Sequence, residues 1–272
     1  DITIPTSITN IGTKAFAQSG ITGIIIPKNT NMGESSFDNC TNLHRVSVPV
    51  NSLNYSFRNC TALTSLELIG EDTEEQYLNA EFVGCTSLES ATIPEGVVSI
   101  SNTFSGCSAL KELRLPSTLQ EIGGFKGCTS LEHISLPSNV TRANFYQVTN
   151  LSSIQLPEGI TSINLAYTNI SEITLPNSVE NARLDHTPIK EVVFPKEGSC
   201  QSCSLLEKVT FGGNEIGYYA FSGCTSLKEI HLKSTSGTSF QNNSFGGVDK
   251  SSCIVYVPVG SLNNYINWAG FS

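Results

Sequence analysis

Apolar residues recur along the chain in a frame of apolar-x-x-apolar-x-apolar, often closed by proline. It reads Ile21-x-x-Ile24-x-Ile26-Pro27, then Leu43-x-x-Val46-x-Val48-Pro49, then Leu63-x-x-Leu66-x-Leu68. Further copies begin at Leu88, Leu110, Leu131, Leu151, Ile170, Ile189, Leu206 and Leu227, so that eleven starts lie 17 to 25 residues apart. A period of this size, sustained along the chain, is the signature of a stacked-repeat architecture. The x-apolar-x-apolar stretch alternates with period two, so each copy predicts a short strand, and stacking the copies makes a long parallel sheet. Proline cannot donate to the ladder and stops the strand where it stands.

Two more columns lock the register. A large residue precedes each start, in the order Phe16, Phe37, Phe57, Phe82, Phe104, Phe125, Phe145, Leu165, Leu184, Cys200 and Phe221. Three places after each comes a compact one: Ser19, Cys40, Cys60, Cys85, Cys107, Cys128, Val148, Thr168, Thr187, Cys203 and Cys224. Cys, Ser, Thr and Val have similar volumes, so this column reads as a packing slot with free thiols rather than as thiol chemistry. After many of the prolines a third apolar pair follows, as in Pro94-x-x-Val97-x-x-Ile100 and Pro116-x-x-Leu119-x-x-Ile122.

The rest of each rung is too short and too rich in Gly, Asn, Ser and Thr for a helix, and predicts turns, 3-10 segments or short extended pieces on a convex side, with the sheet on the concave side. A single rung cannot bury its own apolar set, so stability must come from neighbour stacking. About 12 rungs at roughly 4.8 Å give a rod or arc on the order of 55 Å long. The longest gap holds the acidic run Glu71-Asp72-Thr73-Glu74-Glu75 before Tyr77 and predicts a bulging loop, whereas the turns Ser19-Gly20-Ile21, Thr168-Asn169-Ile170 and Thr187-Pro188-Ile189 are a residue short. Residues 1–256 form the expected solenoid and 257–272 its C-terminal cap. In the cap, Ser261 is placed to cap a helix, Leu262, Tyr265 and Ile266 share one face, and Trp268 covers the end of the core.

Composition narrows the function classes. Charged residues are only 14% of the chain, against a usual share of about 25%. Fifteen Lys and Arg against 24 Asp and Glu leave a net charge of −9, which disfavours nucleic acid and anionic membranes as partners. No run of about 18 apolar residues predicts a membrane span. The nine cysteines are an odd number in a chain too large to need disulfide staples.

Ala15-Phe16, Phe104-Ser105-Gly106-Cys107-Ser108-Ala109-Leu110 and Phe221-Ser222-Gly223-Cys224-Thr225-Ser226-Leu227 resemble the BspA-like leucine-rich repeats of the Treponema pallidum type, found in Bacteroides and related anaerobes. The resemblance covers essentially the whole chain. It implies a leucine-rich-repeat solenoid and a secreted or surface-anchored bacterial protein, exported behind a leader removed ahead of Asp1. Some relatives are adhesins for host matrix proteins or other bacteria. A shared fold is a weak warrant for any one partner.

Chemical motifs are sparse. Cys200-Gln201-Ser202-Cys203 has redox or zinc spacing, but the repeat places both cysteines inward and no second CxxC completes a zinc site. His44, His133, His186 and His231 fall on separate rungs without metal-ligand spacing, and no nucleophile elbow, P-loop or dinucleotide fingerprint is present. No catalytic residue, metal or cofactor is therefore assigned, and the expectation is a non-enzymatic protein. Function is sought on the outward strand positions, which can vary without harming the core. They pair as Arg45/Ser47, Ser65/Glu67, Ser90/Thr92, Glu112/Arg114, His133/Ser135, Ser153/Gln155, Glu172/Thr174, Glu191/Val193, Lys208/Thr210 and Glu229/His231. The candidate contacts for a protein or extracellular-matrix partner are Arg45, Glu67, Glu112, Arg114, His133, Gln155, Glu172, Glu191, Lys208, Glu229 and His231. A glycan-binding or spacer module of a larger surface protein is the alternative. The strand face, as read from sequence, offers no aromatic platform for a sugar.

Overall fold

A computed structural model describes residues 1–70, 75–268 and Phe271. The chain is a parallel β-solenoid of about twelve turns with almost no helix. It divides into two compact units, Asp1–Leu151 and Ser152–Ser272. Four residues of the acidic run expected to bulge, 71–74, lie outside the described residues, whereas Tyr77 is exposed and donates its hydroxyl hydrogen to Glu75 Oε2 at 2.9 Å.

The repeat frame forms a first line of strands. In the first unit Ile2–Thr3, Gly23–Ile25, Arg45–Pro49 and Ser65–Ile69 pair in order, and Ser90–Thr92 pairs with Glu112–Arg114. In the second, Glu191–Phe194, Lys208–Phe211, Glu229–Leu232 and Ile254–Tyr256 form one sheet. Register keeps like positions together: Val46 lies beside Leu66, and Val192 beside Val209.

The turn-rich half of each rung is more regular than expected, because it carries a second line of parallel strands. Gln76–Asn79, Val97–Ser101, Glu121–Gly123 and Arg142–Asn144 are successive neighbours, as are Ser162–Asn164, Asn181–Arg183 and Glu197–Ser199. The third apolar pair explains it. Ile100 and Ile122 are the inward residues of these strands and pair with each other.

Between the two lines the Phe column forms a stack. Rings of Phe16, Phe37, Phe57, Phe82, Phe104, Phe125 and Phe145 follow one another at 5.0 to 6.1 Å, with planes within 18°. In the second unit the column thins to Leu165, Leu184 and Cys200, and Phe194 from the first strand line takes up the room. A Cβ at Gly198 would meet the Phe194 ring at 1.9 Å, and that ring packs against Phe221 at 6.0 Å.

Each residue of the column is followed two places later by a left-handed one. Gln18, Asn39, Asn59, Gly84, Gly106, Gly127, Gln147, Tyr167, His186, Ser202, Gly223 and Gly247 all have positive φ. This reversal turns the next residue, the compact one, back into the core. There every column cysteine donates its thiol hydrogen across the stack, as Cys107 does to Phe82 O at 3.2 Å and Cys224 to Cys200 O at 3.0 Å. Thr168 and Thr187 instead serve Leu165 O and Leu184 O of their own rungs, each at 2.7 Å. Cysteine suits the slot because a weak donor fills a small apolar site while satisfying a buried carbonyl.

The column runs one rung further than the sequence frame showed, to Phe245 and Val248, both buried. Beyond it, Leu262–Trp268 is a 3-10 helix rather than an α-helix. Ser261 does not cap it forward, since its hydroxyl donates back to Pro258 O at 2.6 Å, and Leu262 is exposed rather than sharing a buried face with Tyr265. Trp268 is buried edge-on against Phe240 and Phe245 and donates Nε1–H to Thr238 O at 2.7 Å.

Candidate functional site

Outward residues of the first strand line stand in lateral ladders, and most of their charges are spent on one another. Arg45 reaches Asp1 at 2.9 Å, Arg114 reaches Glu112 at 3.0 Å, and Lys208 reaches Glu191 at 4.0 Å. His133 lies 3.9 Å from Glu132. Glu67 accepts the Ser47 hydroxyl hydrogen at 2.7 Å, and this cover leaves Ser47 buried, not outward as the register alone suggested. His231 Nε2 lies 2.9 Å from Glu229 Oε2, a hydrogen bond that holds the Glu229 carboxyl below its usual range. The strand face is also not free of aromatics: Tyr256 is 43% exposed and stacks on His231 at 4.3 Å. Tyr256 stands in the last rung, Val255-Tyr256-Val257-Pro258, one strand beyond the outward pairs read from sequence.

One expected strand is missing. Ile170-x-x-Ile173-x-Leu175-Pro176 has the full frame, yet Ser171–Leu175 forms no ladder, so Glu172 and Thr174 are not a strand pair. The turns on either side, Thr168-Asn169-Ile170 and Thr187-Pro188-Ile189, are each a residue shorter than in most rungs.

The break opens a groove of about 800 Å3 in the second unit. Gln155, Glu172 and Glu191, three of the eleven candidate residues, converge on it, while the other eight are strung along the strand lines. Ile154, Leu156 and Ile173 line it half-buried, because the strand that should cover them is absent. Sequence reasoning missed Glu158 and Lys190, which also line it. The short turns at Thr168 and Thr187 were the visible signal, but nothing in composition said that a strand would be lost. Among the described residues neither Glu158 nor Glu172 has a cationic partner. Three carboxylates against one lysine make the groove acidic.

The CxxC pair lies inside the core. Cys200 and Cys203 are both fully buried, burial pushes the Cys200 thiol well up, and Cys203 donates to Leu184 O at 3.0 Å. Cys253, outside the columns, is also buried and is pushed up to about 11. Among the described residues no three His, Cys, Asp or Glu side chains are grouped to hold a metal ion. No helix among them is long and apolar enough to cross a membrane.

Among solved structures, the chain is similar to a leucine-rich repeat protein from Bacteroides ovatus, at 25% identity and a TM-score of 0.72, over 90% of this chain and 72% of that one. The pneumococcal vaccine antigen PcpA shares the fold at 19% identity and a TM-score of 0.55, over 97% of this chain and 75% of its own. A comparison with curated proteins found no match. The BspA type leucine rich repeat region matches residues 1–76, 75–186 and 187–266 in six copies. Those matches span nearly every rung that carries the Phe stack and the compact column, and the chain belongs to the BspA-type leucine-rich repeat family.

Proposed function

We propose that this protein is a non-enzymatic interaction protein, secreted or held at the bacterial cell surface, which binds a protein or matrix partner along its first strand line. The carrying observation is the acidic groove at Ser171–Leu175. Half-buried Ile154, Leu156 and Ile173 offer apolar area there, and Glu158, Glu172 and Glu191 ring it with negative charge. Clefts with an apolar floor and a few convergent polar groups are the usual binding sites of folded proteins. The partner segment that fits is extended, with an apolar side chain for the floor and a lysine or arginine for the rim. Charge pairs elsewhere on the line, such as Glu112 with Arg114, are exposed and self-satisfied, and contribute shape more than energy.

Surface plasmon resonance against a panel of host matrix and bacterial surface proteins tests the reading. Saturable binding to one of them is expected, weakened at least tenfold by Glu172→Lys with Glu158→Lys. Charge reversal at Glu112 and Arg114 is expected to change it far less. A protein partner whose affinity ignores the groove substitutions but is lost on the Glu112 and Arg114 reversals would move the site elsewhere on the strand line.

A further inference from the structure

The second strand line of residues 152–272 is also broken once. Asn181–Arg183 pairs with Glu197–Ser199, and Glu215–Ile216 pairs with Ser239–Phe240. Among the described residues no ladder joins Glu197–Ser199 to Glu215–Ile216. The two backbones close again only past the gap, where Cys200 N–H donates to Ala220 O at 2.7 Å. Between them lies a groove of about 420 Å3, lined by Asn181, Arg183, Glu197, Glu215 and Tyr218 around the small residues Gly198, Gly217 and Ala220. It is on the other strand line from the acidic groove and shares no residue with it.

Its side chains are largely unspent. Tyr218 is 67% exposed, the most exposed tyrosine of the chain among the described residues, and neither its ring nor its hydroxyl has a partner there. Leaving an amphipathic ring in water forgoes the burial that tyrosines elsewhere in this protein obtain, as Tyr265 does. The Asn181 amide and the Glu197 carboxylate are likewise without partners among the described residues. Arg183 commits Nε and Nη2 to Asp185 Oδ2, at 3.3 and 3.1 Å, leaving Nη1 to spare. An open aromatic face beside an amide, a carboxylate and a guanidinium is what a sugar ring requires. Its C–H face packs on the aromatic ring, and its hydroxyls both donate and accept.

We infer that this groove is a carbohydrate site, which takes a neutral oligosaccharide with one ring on Tyr218 and its hydroxyls on Asn181, Glu197 and the free edge of Arg183. The volume falls within the about 300–1,000 Å3 typical of small-molecule sites and holds a short saccharide. Charge selects among sugars. Arg183 is already neutralised by Asp185, so Glu197 and Glu215 leave the lining negative, and sialylated or uronic-acid glycans are repelled. A peptide fits less well, because the groove offers no apolar pocket for a side chain.

A glycan array carrying neutral hexose and N-acetylhexosamine oligosaccharides beside sialylated and uronic-acid ones tests this, with the best neutral binder then titrated by calorimetry. Tyr218→Ala removes the platform at an exposed position. Gly217→Leu fills the groove where a Cβ meets no atom within 4 Å, so neither change disturbs the core. Each is expected to weaken binding at least tenfold with an unchanged melting temperature, whereas Glu172→Lys leaves it unaltered. An array without a neutral hit, a preference for anionic glycans, or a neutral glycan indifferent to both substitutions overturns the inference, and none of these outcomes bears on the acidic groove.

Discussion

Glu81 stands immediately before Phe82, at a position that other rungs fill with small hydroxyl residues such as Ser36, Ser56, Thr103 and Ser244, all buried. A carboxyl placed there is 5% exposed and accepts a hydrogen bond from Ser56 N–H at 3.1 Å. Burial, with Asp38 adding a smaller push, raises it from 4.5 to about 7. Between those values the unfolded chain releases the proton and the folded chain keeps it. Stability therefore falls as pH rises through this window and levels off above it, by roughly 3 kcal/mol at 1.36 kcal/mol per unit. Urea unfolding at pH 5 and pH 8 should show this decline in the wild type and lose most of it in Glu81→Gln, whose side-chain oxygen still accepts from Ser56. An equal decline in both proteins would assign the pH dependence to other groups. The cysteines make a second test at this scale. All nine are fully buried, and burial pushes Cys107 and Cys224 up to about 12. A thiol so placed is neither accessible nor ionised near neutrality. Ellman's reagent at pH 8 should find almost none in the native protein and nine after denaturation in guanidinium; fewer than nine in the denatured protein would mean that some are oxidised.

Within a rung the conserved shape comes from a ring, a left-handed residue and a compact side chain in succession, and each can be probed alone. Phe104 lies fully buried between Phe82 and Phe125. Phe104→Ala should cost about 3–5 kcal/mol, and Phe16→Ala at a half-buried position clearly less. Gly106 separates conformation from space. It has φ +76°, and an added Cβ would come no closer than 3.5 Å to Gly84, an ordinary contact. Gly106→Ala should therefore cost only about 1–2 kcal/mol, the penalty of a left-handed backbone for an L-residue. A larger loss in chemical denaturation would show a clash rather than strain. The frame, the Phe column and the compact column were legible in the sequence because each repeats at fixed spacing and each is set by burial. The second strand line was only half legible. Val97-x-x-Ile100 announces an inward pair, but short strands rich in Ser and Asn look like turns when their pairing partners lie one whole rung away. The acidic groove was legible least. Glu172 and Thr174 obey the strand pattern, and a shortened turn does not by itself foretell the loss, since Glu191–Phe194 follows one and still pairs.

Among the described residues, many exposed cations are paired with carboxylates while the surplus of acid remains. Lys111 meets Glu89, Arg142 meets Glu121, Lys196 meets Glu180 and Lys228 meets Glu207, each within 4 Å. Such exposed pairs contribute little stability, but they cancel charge locally, and unpaired carboxylates contribute to the net charge of −9. Glu158 and Glu172 are two of these, in a groove whose apolar floor lowers the local polarity and strengthens the field they project. A basic partner segment would then be drawn in over a distance set by salt, about 10 Å at 0.1 M and about 3 Å at 1 M. The consequence is kinetic before it is thermodynamic, because charge steering acts on encounter and the apolar floor on residence. For the protein partner identified on the binding panel, the association rate should fall several-fold between about 20 mM and 300 mM sodium chloride, with the dissociation rate changing much less. Glu158→Lys with Glu172→Lys should flatten or invert that slope. An association rate indifferent to salt in the wild type would show that the acid surplus serves only solubility and that shape alone selects the partner.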